Sequence, residues 1–412
     1  MKICKNSKLI FTLFLFWPTI YFSISSIFGF AIEDGSSPPW YIPCLILFGT
    51  MSVLMTLSDG MKFIANDIIF TIIFPLFIIM EYIIELALGH TPAFQYFSYY
   101  LGFCIPSAFI GVYIAKTGGI KKYTKWLDLV MVLSTLGLIV ALPKIVYLSV
   151  ISLGGASYQQ MAYVAGLAFT INLSGLLFGD NYDRFAFMKG FNAKVICFIM
   201  LIVQLLCCLY SGGRGGFIYL VGCSIVLLVL SRKIMYLFYV VLFLAVLYLI
   251  SSIYDESIFA DVISERMERT FSFIGTHGID KQNRGEVWDD AVLLFQESSL
   301  FGRGLFSYFN EMRVRFDQPY AHNLFLEILI QGGINYILVW IFILLKFSSS
   351  LIKLIKRDLG NVAMIVLFLF PFITLMFSTT YLQSSLFWFS LSYVYAAYKI
   401  DSTTDMPQQI NY

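Results

Sequence analysis

Arginine side chains in unusual settings are the first chemistry visible along this chain. Arg214 lies within Ser211-Gly212-Gly213-Arg214-Gly215-Gly216, between two apolar stretches. Arg266 and Arg269 stand three residues apart, Arg284 opens Arg284-Gly-Glu-Val-Trp-Asp-Asp-Ala, and Arg303 sits in the turn Phe301-Gly302-Arg303-Gly304. A guanidinium is planar, stays charged at physiological pH and grips phosphate oxygens in pairs. Pro319-Tyr320-Ala321-His322-Asn323 follows, with Glu327 about one turn further on. An imidazole titrates near neutrality, so His322 is a candidate proton acceptor.

The elements that must position these groups are membrane helices. Of 412 residues, 59% are hydrophobic and only 13% charged, and the mean hydropathy is +0.81. A soluble domain carries about a quarter charged residues, so a lipid-facing exterior is required. Apolar segments near the bilayer-spanning length of roughly 20 residues fall at 9–32, 41–57, 63–88, 94–115, 127–151, 159–178, 195–211, 215–231, 234–252, 322–345, 360–379 and 382–398. The expected fold is therefore all-α: a polytopic bundle of about 12 transmembrane helices, since helices satisfy their own backbone in hydrocarbon. The expected division is 1–250 for helices one to nine, 251–321 for one large outer loop, 322–400 for the last three helices and 401–412 for a tail.

Lysine and arginine set the orientation. Lys2, Lys5, Lys8, Lys62, Lys116, Lys121, Lys122, Lys125, Arg184, Lys189, Lys194, Arg232, Lys233, Lys346, Lys353, Lys356, Arg357 and Lys399 all fall on one side if the N-terminus is inside. The short turns on the other side hold none, which is the positive-inside pattern. Both termini are expected to be cytoplasmic and the large loop to face outward. The cysteines lie in or beside spans, which suggests buried thiols and neither a disulfide frame nor a metal site.

The loop has structure of its own to offer. Glu265–Phe273 reads as a short helix that places Arg266 and Arg269 on one face. A second amphipathic run presents Trp288, Val292 and Phe295 at i, i+4, i+7. A third, 305–315, ends in Arg313 and Arg315. The glycines around Arg214 permit close approach of backbone or ligand, and Glu81 and Glu85 share a face near the outer end of the third span. Arginines over a hydrophobic bundle suit a lipid-linked pyrophosphate, its tail among helices and its head on guanidinium groups.

The stretches Arg284-Gly-Glu-Val-Trp-Asp-Asp-Ala, Gly302-Arg-Gly304, His322-Asn-Leu-Phe-Leu-Glu-Ile-Leu-Ile-Gln-Gly-Gly333 and Ser211-Gly-Gly-Arg214-Gly resemble the O-antigen polymerase and O-antigen ligase superfamily. The motif-bearing part is roughly 211–335. The resemblance implies a metal-independent glycosyltransferase of the helical GT-C type in a bacterial inner membrane, working at the periplasmic face without a cofactor. It also implies donors carried on undecaprenyl pyrophosphate, and a chain-length regulator as a partner besides the membrane lipids. Ligases of this kind show His-Asn/Ser/Gln, nine residues, then Gly-x-x-Gly; here Gly333 fits and Tyr336 replaces the last glycine. The polymerase reading is therefore preferred, with ligase and lipid-linked oligosaccharide flippase as alternatives. Under it, Arg214, Arg284 and His322 are the catalytic candidates: two cations for the leaving pyrophosphate and one base for the acceptor hydroxyl. Arg303, Glu327, Tyr320, Asn323, Arg266 and Arg269 are the substrate-binding candidates, with Glu327 the rival base. Nucleic acid is not an expected partner.

Overall fold

The computed structural model describes residues 7–29, 41–58, 65–143, 153–233, 284–298 and 300–404. Among the described residues every regular element is a helix. Eight helices are long and apolar enough to cross a bilayer, nine when the broken pair Ser7–Leu15 and Trp17–Phe28 counts as one. That pair parts at Phe16, just ahead of Pro18, whose nitrogen has no hydrogen to give to the preceding turn. Arg214–Leu230 is apolar but only 17 residues long. The expected span at 234–252, the loop helix at 265–273 with Arg266 and Arg269, and the tail beyond Thr404 lie outside the described residues. The protein is a multi-pass helical membrane protein.

Two compact units interleave along the chain. The first comprises Met1–Leu15, Leu45–Ile120 and Ile279–Tyr412; the second comprises Phe16–Cys44 and Lys121–Gly278.

In the first unit the Ser385–Thr404 helix lies against Phe94–Lys116. Gly111 makes this possible, because a Cβ there would sit 2.1 Å from Ser392 Oγ and 2.6 Å from the Phe389 carbonyl. Small residues serve this purpose between membrane helices, where close packing replaces the hydrophobic drive. Trp388 anchors the centre, its indole donating to the Tyr381 carbonyl at 2.8 Å, with Tyr100, Trp340 and Phe74 packed around it edge-on. Two spans carry a π-helical turn, Ile69–Ile73 and Tyr100–Cys104, each just before a proline, Pro75 and Pro106. Widening the turn removes the hydrogen bond that a proline cannot donate, so the helix continues with a local bulge.

The second unit is built on Tyr158–Phe178, which is buried along most of its length. Gly213, Gly216 and Gly166 bring Arg214–Leu230 onto it. A Cβ at Gly216 would lie 2.5 Å from the Ala162 carbonyl oxygen, and one at Gly166 would lie 2.9 Å from that of Gly216. The glycine run around Arg214 thus has a packing purpose at Gly213 and Gly216. Thr135, Gln204 and Asn172 form a buried polar chain: Gln204 donates to Thr135 at 2.6 Å and accepts from Asn172 at 3.2 Å. Arg184, counted above among charges of a connecting loop, is buried. Its guanidinium meets both oxygens of Asp128 and donates to the Gly175 carbonyl at 3.1 Å. Burial works against the cation, but the hydrogen bond to Asp128 and the charge beside it raise the Arg184 pKa further.

Candidate functional site

Leu324–Arg357 is a broken helix. Gly333 interrupts it with φ 68 and ψ −162, a backbone conformation essentially reserved for glycine. The break strands the carbonyls of the preceding turn, and stranded carbonyls need donors. The turn at Gly302–Gly304 supplies them. Arg303 N–H donates to the Ile330 carbonyl at 2.8 Å and Gly304 N–H to the Gln331 carbonyl at 3.0 Å. Gly302 and Gly304 both have positive φ, 82 and 97. A Cβ on Gly302 would lie 2.4 Å from the Gln331 carbonyl oxygen, and one on Gly333 only 1.8 Å from that of Leu300. Two motifs separated in sequence are therefore one interlocked piece of structure.

The front of the broken helix is capped by Asn323, whose Oδ1 accepts from Phe325 N–H at 3.0 Å and Leu326 N–H at 3.2 Å. Asn side chains do this because they accept from the first free amides of a helix. His322 precedes the cap with φ 52, a left-handed conformation uncommon outside glycine. Its neighbours hold it there. Ala321 N–H donates to the Tyr308 hydroxyl, and the Tyr320 hydroxyl donates to the Ser378 carbonyl. The Tyr320 ring lies 4.3 Å from the imidazole, centroid to centroid.

Glu327 is fully buried on the same helix. One carboxyl oxygen accepts from the Thr380 hydroxyl and from the Gln331 amide at 3.3 Å, while the Tyr381 hydroxyl donates to Gln331 at 2.7 Å. The other oxygen has no hydrogen-bond partner among the described residues, which is costly for a buried polar atom. Tyr308, outside the spans, feels this group: burial first, and then the Glu327 charge, hold its hydroxyl well above the usual tyrosine range. Thr380, Gln331, Tyr381 and Tyr308 were not singled out in the sequence. The hydroxyl-rich run Ser378-Thr-Thr-Tyr381 at the end of an apolar span was the one signal that marked two of them.

The loop helices sit on this core. Ser307–Phe316 is capped by Glu85, a span residue, which accepts from Phe306 N–H at 2.9 Å, Ser307 N–H at 2.7 Å and the Ser307 hydroxyl. Arg284–Gln296 buries Val287, Ala291 and Leu294, one position away from the expected face of Trp288, Val292 and Phe295. Both triads are apolar, and the face bearing the small Ala291 allows the closer approach. Arg303 pairs with Glu297 at 3.3 Å and Glu311 at 3.5 Å, and Arg315 grips Glu297 with two bonds of 2.6 and 3.0 Å. The Arg315 hydrogen bond, reinforced by the Arg315 and Arg303 charges, holds the Glu297 pKa below the usual carboxylate value.

The first unit thus brings together Arg303, Tyr320, His322, Asn323 and Glu327 on the broken helix and its capping loop. Arg284 begins the Arg284–Gln296 helix, and its side chain lies outside the described residues. Arg214 belongs to the second unit, half-buried at the first position of Arg214–Leu230. A guanidinium there adds to the partial positive charge of the helix end, and both favour an anion.

Residues 196–341 match the family described as O-Antigen ligase. The match covers about a third of the chain and supports the resemblance to the O-antigen polymerase and ligase superfamily. Proteins of the superfamily are glycosyltransferase-like membrane enzymes. The matched segment holds the Gly302–Gly304 turn, the His322–Gly333 stretch and Arg214. No curated protein matches the chain.

Proposed function

We propose that this protein is an O-antigen polymerase. It transfers a growing glycan from undecaprenyl pyrophosphate onto a new lipid-linked repeat unit at the periplasmic face of the bacterial inner membrane. The observation that carries the reading is the interlock of the Gly302–Gly304 turn with the His322–Gly333 stretch, inside the segment that matches the family. A glycosyl transfer of this kind breaks the anomeric carbon–oxygen bond to pyrophosphate and forms one to the acceptor oxygen. The leaving pyrophosphate gains charge, and the acceptor hydroxyl loses a proton.

Arg214 and Arg284 are assigned to the pyrophosphate on the chemistry of guanidinium. His322 is assigned to the acceptor proton, with its left-handed backbone and the Tyr320 ring fixing the imidazole. Tyr320, Asn323, Glu327 and Arg303 are assigned to binding, and a chain-length regulator is the proposed partner. Tyr336 supports polymerase over ligase, because it stands where the ligase pattern has its last glycine. The competing ligase reading rests on the match to the family described as O-Antigen ligase.

Purified protein in liposomes with lipid-linked repeat units and no other acceptor tests the assignment. Long chains on the lipid carrier are expected, and Arg284→Lys and Arg214→Lys are expected to lose them at normal protein level. Product that forms only when lipid A–core is added would establish a ligase. Movement of the substrate across the bilayer without lengthening would establish a flippase.

A further inference from the structure

The loop of the first unit ends in a tip with an exposed apolar surface that the proposed chemistry does not use. Leu300 is 67% exposed and Phe301 74% exposed, while the charged residues before and after them, Glu297 and Arg303, pair with one another. Exposed Phe and Leu side by side on a loop call for a cover.

The interlock fixes the depth of this tip. A Cβ on Gly333 would strike the Leu300 carbonyl, so the tip lies at the break of the Leu324–Arg357 helix. Immediately beyond the break that helix turns outward an apolar stripe: Ile334, Leu338, Phe342 and Leu345, all strongly exposed. The stripe is the lipid-facing surface of a membrane span. From Ile334 to Lys346, the first basic residue of that helix, is about 18 Å at 1.5 Å per residue, less than the roughly 30 Å of a hydrocarbon core. Lys346, Lys353, Lys356 and Arg357 mark one edge of the hydrocarbon, so the break lies within the reach of the hydrocarbon from that edge. The tip therefore stands no further out than the second edge, continuous with the stripe.

A second observation puts more of the surface there. The turn between the Ile69–Ala87 and Phe94–Lys116 spans is tied to the loop, with Ala93 N–H donating to the Phe306 carbonyl at 3.2 Å. That turn carries Leu88 and Phe94, 69% and 66% exposed. Four large apolar side chains thus lie at the loop-bearing end of the unit.

We infer that the Leu300–Phe301 tip is inserted into the lipid at the hydrocarbon boundary, and that with Leu88 and Phe94 it seats the loop on the bilayer. The partner is the acyl and glycerol layer of the membrane itself. The inference is independent of the proposed reaction.

The test uses the full chain with Cys4 and Cys44 changed to serine, reconstituted in phosphatidylethanolamine–phosphatidylglycerol liposomes. Phe301→Cys, Leu300→Cys and Val314→Cys variants each receive an environment-sensitive fluorophore. Val314 is the aqueous control: it is 84% exposed and sits between Arg313 and Arg315. Labels at 300 and 301 are expected to emit further to the blue than the label at 314. Lipids spin-labelled near the top of the acyl chain should quench them several-fold more strongly than dissolved iodide, with the reverse at 314. Equal iodide quenching at 301 and 314 would overturn the inference. So would a label at 301 shielded from both quenchers, which would mean a protein partner covers the tip.

Discussion

Glu85 offers the sharpest test of how the loop is held to the membrane helices. Its carboxylate is buried, 3% exposed, and accepts three hydrogen bonds from the start of the Ser307–Phe316 helix. Two come from amides that no intrahelical carbonyl can satisfy, and the helix dipole adds to the attraction. Glu85→Ala leaves three buried donors without an acceptor. Each unsatisfied donor costs about 1–3 kcal/mol, and water entering the space favours the low end, so the sum is roughly 3 kcal/mol. At about 1.4 kcal/mol per decade this raises the open population of the helix by roughly 100-fold. Arg313 and Arg315 lie within that helix on its exposed side, so trypsin reports the opening directly when cleavage is slow relative to reclosing. Glu85→Gln keeps one acceptor oxygen and turns a donor toward the other amide, and an intermediate rate is expected. Cleavage of Glu85→Ala at those arginines within about threefold of the parent, a difference of under 1 kcal/mol, would refute the cap.

Other perturbations probe separate features. Gly333→Ala forces a methyl into the Leu300 carbonyl and a side chain onto a glycine backbone; a loss above about 3 kcal/mol is expected, read as a large fall in thermal midpoint in detergent. An unchanged midpoint would mean that the helix is unbroken. Asp128→Asn or Arg184→Met alone should cost about 3–5 kcal/mol by leaving a buried charge unpaired, whereas Asp128→Leu with Arg184→Met should recover most of it; denaturation of all three variants decides this. The Glu297 carboxyl is held below its ordinary value of 4.5 by Arg315. Its contribution is therefore full above that value and is lost as the pH falls through the lower, folded-state value. Any difference in thermal midpoint between the parent and Glu297→Gln at pH 6 should vanish on acidification, and a difference that grows on acidification would reverse the sign of the argument.

The membrane class was legible because it is a matter of composition and segment length. Most spans were legible for the same reason, although the first divides at Phe16 and the tenth breaks at Gly333. Gly333 itself stood out as a motif glycine, but its reason did not. Nothing near it in the sequence says that Leu300 will press on it, because that contact joins residues more than thirty positions apart. The Glu85 cap is hidden in the same way, its partners lying at 306 and 307. Arg184 has a second role that is hidden for a different reason. A basic residue between two spans looks like a topology signal, and only the fold shows Asp128 waiting for it. The loop helix face was off by one position because hydrophobic bulk was weighed above closeness of approach, and Ala291 won.

The two motifs that carry the family resemblance need one another for a physical reason. A helix cannot be broken next to hydrocarbon unless something supplies the donors its last carbonyls lose. The amides of Arg303 and Gly304 do so, and they can reach because the glycines at 302 and 333 carry no side chain into the contact, while Gly304 leaves room for the Glu85 carboxylate. In return, the break presents His322, Asn323 and Glu327 on a short helical segment whose front is capped and whose back is bound to the loop. The segment is thereby rigid at both ends without being part of a continuous span. Within it the second oxygen of Glu327 is buried without a hydrogen-bond partner among the described residues. That cost is borne by the interlock and the cap on either side of it, and a polar atom left unsatisfied inside a segment so firmly held is the kind of local exception that sites of function show.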